Sequence, residues 1–126
     1  MSGVNGLPKT ERLHSLTAQR RLFQEGASGF VYPFRYMVYK QQGASPSVEV
    51  LFSVPKRNHK RANKRNLLRR RMKEAYRLQK GVLWEYATNQ GLEFDVALVY
   101  SSKELLSYKS IENGIRKVLE ELCCVR

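Results

Sequence analysis

The spacing of hydrophobic positions changes several times along the chain, and each change marks a different element. Leu13, Leu16 and Phe23 fall near one face of a helix over residues 10–25, with Thr10 placed to cap it and Gly26 to end it. GASG at 26–29 predicts a turn. In FRYMVYK, residues 34–40, aromatics recur at alternating positions, as in a strand. VEVLFSV at 48–54 predicts a second strand, and the polar QQGASPS loop between them predicts an antiparallel hairpin. After Pro55 a helix is predicted over 63–80, with Asn63 as its N-cap and Gly81 as its stop. LEFDVALVYS at 92–101 is apolar almost throughout and predicts a central strand. SSKELLSYKS reads as a linker with helical turns. Ile111, Ile115, Val118, Leu119 and Leu122 then recur at the spacing of an amphipathic helix. These elements predict one domain over residues 1–126, on a single sheet, with a flexible lead at 1–9.

Charge changes the picture at one place. The net charge is +12 and the isoelectric point is about 10.1. Residues 56–77, KRNHKRANKRNLLRRRMKEAYR, hold 11 of the 23 Lys and Arg residues but only one acid, Glu74. Excess charge on one segment points to a polyanion site: nucleic acid first, an anionic membrane surface second.

A helix turns about 100° per residue. On that wheel Arg65, Asn66, Arg69, Arg70, Lys73 and Arg77 form one arc, while Leu68, Met72, Ala75 and Tyr76 form another. Arg71 lies outside the basic arc. Like charges at i,i+4 oppose helix formation by roughly 0.2–0.5 kcal/mol per pair. Lys64 and Arg65 also oppose the dipole at the helix start. A bound phosphate reverses both signs. Asn66 either reads a base edge or ribose hydroxyl, or helps the helix to start; composition leaves both open. Phe23, Phe30, Tyr32, Phe34, Tyr36 and Tyr39 crowd the first third of the chain. Most suit core packing. Tyr36 and Tyr39, whose hydroxyls can reach the surface, are the candidates to stack on unpaired bases.

The residues offer no catalytic constellation. His14 and His59 are isolated, and the acids show no metal-ligand spacing, so the expectation is no catalytic residue and no protein-held metal. Cys123 and Cys124 are adjacent and suit reduced, structural thiols. No apolar run is long enough to span a bilayer, and MSGVNGLPKTERL lacks the apolar core of a signal peptide, so the expected location is cytoplasmic. A membrane-active helix is disfavoured, because the apolar arc is short and is needed by the sheet.

The stretch LFSVPKRNHKRANKRNLLRRRMKEAYR resembles the signature of the bacterial ribonuclease P protein subunit, through Ser53, Val54, Lys56, Arg57, Ala62, Arg65, Asn66, Arg69, Arg70 and Tyr76. RLHSLTAQRRLFQEG is similar to the family's first helix, with Arg12, Leu13, Phe23 and Gly26 in place. Leu67 stands where the family usually has Arg, and Gln19 where it often has an aromatic. The resemblance implies an α+β fold: a single-domain α/β sandwich of order αβββαβα, with one mixed sheet, a basic central helix and a left-handed crossover. It implies a protein that promotes endonucleolytic 5′ maturation of precursor tRNA while the RNA subunit and Mg²⁺ carry the chemistry. By it, Lys56, Arg57, Arg61, Lys64, Arg65, Asn66, Arg69, Arg70 and Lys73 contact RNA. Phe23, Tyr36 and Tyr39 line a cleft for the single-stranded leader. The implied partners are ribonuclease P RNA and precursor tRNA, in a 1:1 complex with a monomeric protein. The alternative is a non-catalytic ribosomal or DNA-binding basic module.

Overall fold

Residues 92–100 organise the sheet. Phe94, Asp95, Val96, Ala97 and Leu98 are buried in succession, so this strand is covered on both faces. A strand apolar on both faces gains most when it is internal. The computed structural model describes residues 16–43 and 45–124, and there the order is α1 (Leu16–Glu25), β1 (Ala27–Val31), β2 (Phe34–Gln42), β3 (Ser47–Ser53), α2 (Ala62–Gln79), α3 (Gly81–Gln90), β4 (Leu92–Tyr100), α4 (Tyr108–Cys124). Strands run β1-β2-β4-β3 across a mixed sheet, with only β3 parallel to β4. The expected α+β order αβββαβα holds, its central helical connection being made of two consecutive helices.

Two local expectations fail. GASG is not a turn: Ala27–Val31 forms β1, which pairs with β2 across the Tyr32–Pro33 turn. The 34–40 and 48–54 strands do not form a hairpin, because β4 lies between them and pairs with both. Burial of both faces of β4 overrides the proximity of β2 and β3 in sequence. Thr10, Leu13, His14 and the 1–9 lead lie outside the described residues.

The two sheet faces carry different layers. Phe34, Tyr36 and Val38 of β2 join Val48, Val50, Phe52, Phe94, Val96, Leu98 and Tyr100 in the main core. The inner residues of α2, α3 and α4 complete it. On the other face α1 lays Leu22, fully buried, over Ala97, with Ala18, Met37, Tyr39 and Leu51 around it. Gly114 lets α4 approach the sheet: a Cβ there would meet the Phe34 ring at 2.9 Å.

The basic helix ends at Gln79, next to the predicted stop, but Gly81 makes no left-handed turn and instead opens α3. Lys80 keeps helical angles (φ −63°, ψ −21°), and the Trp84 amide donates to the Lys80 carbonyl at 3.0 Å. The left-handed glycine is Gly91 (φ 64°), which caps α3 with its amide on the Ala87 and Thr88 carbonyls.

Candidate nucleic-acid interface

The predicted apolar arc of α2 is the buried one: Leu68, Met72, Ala75 and Tyr76 are all fully buried. Burying a large apolar side chain contributes about 1.5–3 kcal/mol. Three such anchors outweigh i,i+4 repulsions of roughly 0.2–0.5 kcal/mol each. Packing on the sheet therefore outweighs the charge repulsion along the helix. No acid sits in the first turn of α2, and its N-cap is Arg61, not Asn63, without a capping side-chain bond. The cap is displaced because the preceding loop is fixed by tertiary contacts rather than by its own side chains.

His59 supplies one of those contacts. It is buried, its Nε2–H donates to the Ser102 carbonyl at 2.8 Å, and its ring meets Tyr100 edge-on at 5.6 Å. Arg65 supplies the other, donating to the carbonyls of His59 (3.0 Å) and Lys60 (2.8 Å). These bonds set the loop that leaves Lys56, Arg57 and Arg61 exposed beside the helix start. Arg65 is thus half-buried and partly occupied in building the site.

Along α2, Lys64, Asn66 and Arg70 are exposed, and Arg69 and Lys73 are half-exposed. Arg69 donates to the Asn66 side-chain oxygen Oδ1 at 3.0 Å. Asn66 lies inside α2, so it does not start the helix. The lone acid of the segment is already taken: Arg77 holds Glu74 with two bonds, at 3.1 and 2.6 Å. That contact lowers the Glu74 pKa and raises that of Arg77. Arg71, outside the arc, donates to the Leu106 carbonyl at 2.6 Å and ties α2 to the loop before α4. The nine predicted contact residues thus lie between Lys56 and Lys73, six of them exposed and Arg65, Arg69 and Lys73 half-exposed.

The second predicted group is divided. Phe23 is half-exposed on α1, and Tyr39 lies on the α1 side of the sheet. Tyr36 is on the opposite face, 6% exposed, with its hydroxyl donating to Glu121 at 2.6 Å. That bond, aided by burial, pushes the Tyr36 pKa up to about 12. Tyr36 and Tyr39 are three residues apart, and strand side chains alternate, so the two face opposite ways. Tyr36 cannot line a cleft with Phe23.

The α1 side has residues that the sequence did not single out. The Arg21 guanidinium sits 4.6 Å from the Tyr39 ring centroid and pairs with Asp95 at 3.0 Å. Phe30, 55% exposed, pairs in register with Arg35, which shares the Met37 and Tyr39 face by alternation. Reading β2 by parity would have found Arg35; Arg21 needed the register of β4. Among the described residues no three His, Cys, Asp or Glu side chains group to hold a metal, and no helix is long and apolar enough to cross a membrane.

Known proteins resemble this chain in sequence and share its fold. The sequence matches the ribonuclease P family over residues 7–123. The ribonuclease P protein component of Porphyromonas gingivalis is 34% identical over 116 residues, spanning 90% of this chain and 84% of that protein. That of Chlorobium phaeobacteroides is 32% identical, spanning 97% and 92%. The ribonuclease P protein of Thermotoga maritima superimposes with a TM-score of 0.69 at 20% identity, over 88% of this chain and 96% of that one. The Staphylococcus aureus protein gives 0.68 at 19%, over 90% and 96%. This chain belongs to the ribonuclease P protein family.

Proposed function

We propose that the chain binds the RNA subunit of ribonuclease P through Lys56, Arg57, Arg61, Lys64, Asn66, Arg69, Arg70 and Lys73, and grips the single-stranded leader of precursor tRNA on the α1 side of the sheet. The observation that carries this reading is the one-signed surface of α2, whose lone acid is already neutralised by Arg77. A face of fixed cations anchored by a rigid core is preorganised for phosphates. Arg65 holds that face in shape and adds its charge. On the α1 side Arg21 is paired, so recognition there is chiefly aromatic, through Phe23 and Tyr39, with Phe30 and Arg35 nearby. Stacking suits a leader of variable sequence, because every base has a π face.

In this reading the RNA performs the hydrolysis. By the family reading, Mg²⁺ is bound mainly by the RNA partner. The protein acts as a cytoplasmic monomer in a 1:1 complex with the RNA. Its cations replace divalent ions in screening phosphates, so its effect is largest when Mg²⁺ is scarce. Reconstitution tests this. Cleavage of precursor tRNA by a bacterial ribonuclease P RNA at low Mg²⁺ should rise when the protein is added. No stimulation would favour a ribosomal or DNA-binding module instead.

A further inference from the structure

Beside the cation face, Leu67, Arg70, Arg71 and Glu74 of α2 and Tyr108 of α4 line an open cleft of about 330 Å³ whose walls are mainly apolar. We propose that this cleft seats one unpaired nucleobase of the partner RNA while Arg70 holds the adjoining phosphate, an inference that rests on the RNA-binding role proposed above. Leu67 places a half-buried aliphatic side chain one helical turn before Arg70 and Arg71. A phosphate gains nothing from that wall, whereas the flat face of a base does. Tyr108 supplies the aromatic wall, and its hydroxyl is buried with no hydrogen-bond partner among the described residues. Burial raises its pKa, so it stays a neutral donor. The cleft is also held open. Arg71 is bonded to the Leu106 carbonyl, and the Leu106 amide donates to the Tyr100 hydroxyl at 3.2 Å, which fixes the segment leading into Tyr108. Glu74 is held by Arg77 and Arg71 by the Leu106 carbonyl, which leaves Arg70 as the lining cation placed to hold the phosphate while the uncharged base goes inside.

Two measurements test this on the full chain. In the first, adenosine 5′-monophosphate and ribose 5-phosphate are titrated separately while the Leu67 methyl and Tyr108 ring resonances are followed. The nucleotide should shift both, and the sugar phosphate should leave them in place. Equal shifts from the two ligands, or none from either, overturn the base site. In the second, the affinity of Leu67→Ala and Tyr108→Ala for ribonuclease P RNA should fall about tenfold with an unchanged salt slope. Arg70→Ala should instead flatten that slope. Affinities within twofold of wild type for both cleft variants also overturn the proposal. Failure of the wild-type protein to bind the RNA would remove the RNA-subunit reading, and the nucleotide titration would then decide the cleft by itself.

Discussion

The two sides of the sheet handle arginine differently. On α2, Arg70 lies exposed and Arg69 bonds only to a neutral amide, while the apolar arc carries the stability. On the α1 side, Arg21 is neutralised by Asp95 and lies against the Tyr39 ring. The first arrangement keeps positive charge available for a partner. The second spends it inside the fold and leaves aromatic surface for recognition. The two sides differ in the number of cations and also in what those cations are bonded to.

The largest effect should come from the anchor. Leu68→Ala removes a fully buried side chain beneath the basic face and should cost about 2–5 kcal/mol in denaturant unfolding. Arg70→Ala, on the exposed side, should stay within about 0.5 kcal/mol. Next, Asp95→Asn should release Arg21 and make the α1 side electrostatic. It should destabilise the fold by about 1.5–3 kcal/mol and give leader binding a steeper salt dependence. Third, Tyr39→Ala should weaken precursor tRNA binding more than mature tRNA binding, by about 1–3 kcal/mol. Equal losses would take Tyr39 out of the leader site.

The smallest effect belongs to Tyr36, which should leave the precursor preference intact. Tyr36→Phe removes one hydrogen bond to the exposed Glu121 and should cost about 0.5–1.5 kcal/mol. Because the folded pKa is raised to about 12, the hydroxyl's contribution is fully present below its ordinary value of 10.0 and is lost as pH rises through about 12. The stability difference between wild type and variant should shrink over that window.

The same contrast explains what was legible in the sequence. The α2 layer was read correctly down to Leu68, Met72, Ala75 and Tyr76, because helical periodicity is local and the charge has one sign. The central place of β4 was legible from its continuous apolar run. Its neighbours were not: pairing of β4 with both β2 and β3 is non-local, and the short loop between β2 and β3 suggested a hairpin that does not exist. Helix α3 was hidden by Gly81, which sits in a helical break without a left-handed turn. Tyr36 was misplaced although the strand period already separated it from Tyr39. Arg21 and Asp95, 74 residues apart, could meet only through the fold.

The most direct test is the salt dependence of binding to ribonuclease P RNA and to precursor tRNA, for wild type, the Arg69→Ala, Arg70→Ala double variant and Tyr39→Ala. The double variant should lower the slope of log affinity against log salt by about 0.7–0.9 per lost phosphate contact. Tyr39→Ala should weaken precursor binding with its slope unchanged. Equal flattening by both variants, or none by the double variant, would contradict the division of labour between α2 and the α1 side.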